Sequence, residues 1–148
     1  MSVRIRNAVL AAFCAASVSA GVSAGEGEDL IRQGEAQLAE GKLEEAVATL
    51  QQAVAVDPNS SLAYTRLGGA QILRQEYDAG IQSFQRAITL DGKNADAFVG
   101  MAVAYLHTAR YPLARAALEE AKRIDPAKQA KVDELIAWID QRVAGEPR

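Results

Sequence analysis

Catalysis needs a nucleophile, a general base or a set of metal ligands held together by the fold, and this chain has few residues of those kinds. It has one histidine, His107, and one cysteine, Cys14. A histidine can exchange a proton near neutral pH, but no nucleophile stands at a spacing that would bring it to His107. The pairs Glu44-Glu45 and Glu119-Glu120 have the groups for acid–base work, yet both read as solvated helix faces. Leu67-Gly68-Gly69-Ala70 has the glycines of a phosphate-cradling loop, but it falls in the middle of a helical pattern and reads as a packing element. No cluster has metal-ligand spacing. The expectation is a protein that is not an enzyme and that needs no cofactor and no metal. A deep pocket holding His107 beside a carboxylate would reverse it.

The elements that position these residues repeat. Residues 61–94 shifted back by 34 fall on 27–60, and shifted forward they fall on 95–128. Leu50, Phe84 and Leu118 coincide, as do Ala53, Ala87 and Ala121, and Asp57, Asp91 and Asp125. Pro58, Gly92 and Pro126 follow the three aspartates. A 34-residue step is the period of a two-helix solenoid unit. Apolar spacing predicts helices over about residues 28–40, 43–56, 61–74, 77–90, 95–108 and 111–124. Asp57-Pro58 and Asp125-Pro126 end helices because a residue before proline is pushed out of the helical region. Pro112 sits in a first turn, where its missing N–H costs nothing. Gly34, Gly68 and Ala102, and likewise Ala46, Gly80 and Ala114, are small residues at equivalent points, which lets helix axes approach. For Gly80 a plain weak spot in the helix is an equal reading. Residues 126–143 read as a seventh helix with Val132, Leu135, Ile136 and Ile139 on its apolar stripe. Its capping segment is placed at 129–144, ahead of a disordered tail at 145–148; a solenoid needs such a cap over its last stacking surface. Trp138 lies off the centre of that stripe and is expected partly buried at the edge of the cap, with contact to a partner as the alternative.

The chain resembles the tetratricopeptide repeat family, whose pattern is a large aromatic, Leu-Gly, Tyr, Ala-x-x-x-Phe and Pro. Tyr64, Leu67, Gly68 and Phe84 carry it in the middle repeat, and Phe98, Met101, Ala102, Tyr105, Ala114, Leu118 and Pro126 in the last. The first repeat matches chiefly through Leu43, Ala46, Leu50, Ala53 and Pro58. The middle repeat departs at Gln71, Gly80 and Gly92. The resemblance implies an all-α, right-handed helix-pair solenoid: three repeats (27–60, 61–94, 95–128) plus a C-terminal capping helix. It also implies a concave groove, lined by the first helix of each repeat, that holds a peptide. Carried onto this sequence, the groove residues are Ile31, Leu62, Thr65, Arg66, Gly69, Ile72, Val99, Val103, Leu106 and His107, with Arg32, Glu35, Asp96 and Gly100 beside them. Arg66 is expected to orient the ligand by charge. One branch of the family grips C-terminal carboxylates with a Lys-Asn-Arg clamp. Ile31, Glu35, Asp96 and Gly100 stand at its positions, so that mode is not expected here.

Composition agrees with closely packed helices. The 148 residues are 49% hydrophobic but only 5% aromatic, so alanine and leucine must build the core. Residues 1–24 read as a secretory signal: Arg4 and Arg6, an apolar run at 8–16, then Val-Ser-Ala at 18–20 and again at 22–24. Cleavage is expected after Ala24, with Ala20 as the alternative. The run is too short for a spanning helix, and Phe13 before Cys14 argues against a lipid anchor. Without the leader the chain has no cysteine, and it carries 14 basic against 19 acidic residues, a net charge of −5. That charge argues against nucleic acid and anionic lipid as partners. The expectation is a periplasmic or secreted adaptor that binds a protein or peptide segment of another envelope protein, with a structural part of a larger solenoid or self-assembly as the alternative.

Overall fold

The computed structural model describes residues 24–145. The expected leader therefore lies, apart from Ala24, outside the described residues, and so does the tail beyond Gly145. Seven α-helices, and no strand, occur among the described residues. They are α1 (Ala24–Ala39), α2 (Leu43–Val56), α3 (Ser61–Leu73), α4 (Tyr77–Leu90), α5 (Ala95–His107), α6 (Tyr111–Ile124) and α7 (Gln129–Ala144), with a 3-10 turn at Pro126–Lys128 before the last. α1 packs on α2, α3 on α4 and α5 on α6, each pair stacks on the one before, and α7 packs on α6, which makes a helix-pair solenoid. α1 starts at Ala24, earlier than the expected residue 28.

The repeated aspartates have a local cause. Asp57, Asp91 and Asp125 each accept, through the side chain, the backbone N–H two residues on, at Asn59 (3.0 Å), Lys93 (2.9 Å) and Ala127 (3.1 Å). Such a turn ends one helix pair and aims the chain at the next. Ser60 and Asn94 then cap α3 and α5 by accepting from the N–H of Ala63 and Ala97.

The turn inside each pair is also periodic. Gly41, Gln75 and Ala109, 34 residues apart, have φ of 75°, 65° and 54°. The next residue's N–H closes on a carbonyl five back: Lys42 on Gln37, Glu76 on Gln71, Arg110 on Tyr105. This is a left-handed helix stop, which glycine enters freely and alanine only at a cost. Ala109→Gly should therefore stabilise the protein by about 0.5–1 kcal/mol, the left-handed penalty less the entropy glycine adds to the unfolded chain. A urea unfolding curve checks it, and a lower midpoint would contradict the strain.

The core runs along the stack. Leu50, Phe84 and Leu118 are buried at 0%, 2% and 0% exposure, as their equivalence requires. Leu50 and Phe84 press against Gly34 and Gly68, where a β-carbon would lie 2.6 Å and 2.9 Å from the facing side chain. Gly80 is a packing position too: Ile72 and the Gly68 carbonyl fill the space a side chain would take. Gln37 Oε1 is buried without a hydrogen-bond partner, but Gln71 is paired. Ser83 donates to Gln71 Oε1 (2.6 Å), which accounts for Gln71 where the family pattern has tyrosine.

Candidate functional site: a cleft between α5 and α7

In α3 the side chains turned to the preceding repeat are Ala63, Leu67 and Ala70, all buried with Val47, Leu50 or Ala53. One step on, Ala97 and Ala104 are again fully buried. A second step reaches Lys131, Leu135 and Trp138 in α7, and there the pattern breaks. Lys131 and Trp138 are exposed, and the buried row is Val132, Ile136 and Ile139, one residue further. One residue is about 100° of helix rotation. α7 has thus turned its aliphatic stripe onto Ala114, Ala117 and Leu118 of α6. A tryptophan cannot occupy the space that Ala70 and Ala104 leave between helices. Neighbouring first helices, α1 with α3 and α3 with α5, approach each other; α5 and α7 bring no α-carbons within 8 Å.

The gap is a cleft of two adjoining hollows that share Leu135. The apolar one, about 370 Å³, is lined by Val103, Leu106 and His107 of α5 and by Leu135 and Trp138 of α7. The other, about 280 Å³, lies between Asp96 and Val99 of α5 and Lys128, Lys131 and Val132. Trp138 meets Tyr111 edge-on at 6.3 Å, and the Arg142 guanidinium lies over its ring at 5.2 Å. His107 stacks on Tyr77 at 4.8 Å, and no carboxylate lines its hollow. Asp96 is tied to Lys128 at 2.7 Å, and that bond, helped by Asp125, holds the Lys128 ammonium above its usual range.

The expected groove residues divide. Val99, Val103, Leu106 and His107 line the cleft together. Leu62 is exposed, and beside Gly69 there is open space. Ile31 and Thr65 are not groove-facing: both are buried, at 6% and 7% exposure. Ile31 packs with Ala53 and Ala63. Thr65 donates to the Ser61 carbonyl and accepts from Asn94 Nδ2, in a network that ends where Ser61 donates to the Ala87 carbonyl. Ile72 is half-buried against Gly80 and belongs to the core. Gly100 lies under the Phe84 ring. Arg66 is paired with Glu35 across α1 and α3, so its charge is already answered. Arg32 pairs with Asp29 within α1. Ile31 and Thr65 are the repeat equivalents of Val99, and Ile72 of Leu106; the following repeat covers Ile31, Thr65 and Ile72, while α7 leaves Val99 and Leu106 on an open cleft.

Leu135, Trp138 and Lys131 were not among the expected site residues. A signal for them exists in the sequence: extending the 34-residue step once more puts Trp138 in a row with Ala36, Ala70 and Ala104. The acidic pair Glu119-Glu120 is a solvated face tied to Lys122 (3.3 Å) and Arg123 (2.9 Å). The Arg123 hydrogen bond holds the Glu120 carboxyl below its usual range. No group of three or more potential metal-ligating side chains occurs among the described residues.

The architecture is that of a helix-pair solenoid with an open apolar cleft. Two family models, each described as Tetratricopeptide repeat, match residues 31–95 and 73–139. The chain belongs to the tetratricopeptide repeat family. No curated protein sequence matches it. Similar solved structures include the first tetratricopeptide repeat domain of Spaghetti (RPAP3) bound to an HSP90 peptide, SRMEEVD. That domain is 16% identical with a TM-score of 0.79 over 83% of this chain and 97% of the other. The TPR2B domain of yeast Sti1, in its pHsp70 complex, is 18% identical with a TM-score of 0.77 over 80% and 98%. The Yersinia enterocolitica type III secretion chaperone SycD, with a peptide of the translocator YopD, is 21% identical with a TM-score of 0.75 over 82% and 98%. At such identities the likeness is one of fold.

Proposed function

We propose that the protein is an exported adaptor, without catalytic activity, that captures a peptide segment of another envelope protein in the cleft between α5 and α7. The observation that carries this reading is the apolar hollow of Val103, Leu106, Leu135 and Trp138, left open to solvent on a helical surface. Open apolar hollows of this kind mark binding sites more often than they mark nothing. Two of the similar structures are peptide complexes, which supports a peptide as the ligand class. Export rests on the basic start, the apolar run and the Val-Ser-Ala sites of residues 1–24.

The double variant Val99→Glu/Val103→Glu tests this reading. Both side chains are half-buried on the cleft wall, so carboxylates there would face any apolar ligand without a partner. Crosslinked pull-down from the native envelope should fall to background while helical content by circular dichroism is retained. Edman sequencing of the wild-type protein from the same cells should begin at Gly25 or Gly21. Normal capture by the folded variant would exclude the cleft, and an intact Met1 or Ser2 terminus would exclude cleavage.

A further inference from the structure

We infer that the cleft selects segments carrying a large apolar side chain and a carboxylate about three residues apart, with the apolar group seated between Leu106 and Trp138 and the carboxylate on Lys131. The inference rests on the peptide-capture reading above and names the chemistry of the peptide. The chain as a whole is acidic, with a net charge of −3, yet the cleft is not. The charged residues that line its two hollows are Asp96, Lys128 and Lys131, with His107 at the other end. Asp96 and Lys128 cancel each other at 2.7 Å. Lys131 remains. It is exposed, and no carboxylate among the described residues stands within ion-pair range of it, although Lys122 and Lys128 on either side of the cap are both paired. A ligand in the cleft therefore meets an apolar pocket at one end and an unanswered ammonium at the other.

Spacing fixes the pattern. Lys131 and Trp138 are seven residues apart on α7, about 10 Å along the helix axis. A peptide in the polyproline II conformation rises about 3.1 Å per residue with three residues per turn, so its side chains at i and i+3 lie on one face about 9 Å apart. Such a pair reaches both ends, whereas a carboxylate next to the apolar anchor falls short of the ammonium. The apolar hollow of about 370 Å³ holds a leucine, methionine or phenylalanine side chain with room to spare.

The chain has a single tryptophan, and it lines the site, so its fluorescence reports occupancy directly. The purified protein would be used to select from a random dodecapeptide library. Enriched peptides, synthesised with both ends blocked, would then be titrated against Trp138 emission at low salt. The expected result is enrichment of Asp or Glu three residues from a large apolar residue. Lys131→Glu, a change at an exposed position, should weaken those peptides about tenfold, an effect that shrinks as salt is added. Selection on Lys131→Glu should return Lys or Arg at the same place. Enriched peptides without an acidic position, or affinities unaffected by Lys131→Glu, would overturn the inference and leave peptide capture standing. A selection that enriches nothing, or peptides that bind Val103→Glu as well as wild type, would overturn both.

Discussion

Phe84→Ala is expected to cost about 3–5 kcal/mol of stability, the range for emptying a buried phenylalanine site. The ring is 2% exposed and clusters with Ala87 and Ala97, with Tyr64, Ile72, Ile88 and Met101 around it. Its position is unusual among the three equivalent large residues, because it is held between two glycines of two different repeats. A β-carbon on Gly68 would stand 2.9 Å from Cε1, and one on Gly100 would overlap the ring edge. Phe84 thus joins α3, α4 and α5, and the space it leaves cannot collapse without moving a repeat. The same geometry predicts a sign change. In the wild type, Gly100→Ala forces an overlap that costs about 1–3 kcal/mol, more than offsetting the roughly 1 kcal/mol by which alanine favours helix. In the Phe84→Ala background the overlap is gone and Gly100→Ala should stabilise. Urea unfolding of the four proteins measures the coupling. Strict additivity would show that the ring is not wedged between the two helices.

Much of this fold was legible because each repeat states the same rule three times. The bounds of α2, α4 and α6 fall where apolar spacing and the Asp-Pro or Asp-Gly stops put them, since the side chains that end each helix are themselves local. The left-handed turns at Gln75 and Ala109 were not legible. Neither residue favours that conformation, and only tertiary packing of the pair imposes it. The site was legible in half. Val99, Val103, Leu106 and His107 lie on one side of α5 by helical phase alone. Ile31, Thr65 and Ile72 share that phase on α1 and α3, but there the next helix closes over them. What differs is the neighbour. α3 is followed by a helix with Ala97 and Ala104 at its contact points, and α5 by one with Lys131 and Trp138. The site is therefore a property of the break in the repeat, which a search for the repeat passes over.

Since α7 forms one wall of the cleft, detaching it should abolish capture while leaving the three helix pairs folded. Ile139→Asp is the change to make. Ile139 is 2% exposed and packs in one cluster with Tyr105, Ala114, Ala117 and Leu118. An unpaired carboxylate there costs several kcal/mol. The docking it opposes rests on Val132, Ile136 and Ile139, each contributing about 1.5–3 kcal/mol before the cost of ordering the helix is subtracted. Beyond these, Trp138 meets Tyr111 edge-on, and two exposed ion pairs tie α7 to α6, Lys122 with Asp133 at 2.8 Å and Arg115 with Asp140. The first pair raises the Lys122 pKa and lowers that of Asp133, so both partners report attraction, but at a solvent-exposed site screening leaves it too weak to hold α7. Ile139→Asp should shift Trp138 emission to the red, remove helical signal equivalent to α7 and bring peptide capture to background. Asp133→Asn, which removes the surface pair and nothing from the core, should change none of the three. If Ile139→Asp keeps wild-type emission and capture, α7 is not a wall of the site. If it loses all helical signal, the cap and the three pairs form one cooperative unit, and Ile139→Ala, which removes bulk without adding charge, becomes the variant in which Trp138 emission and capture must fall together.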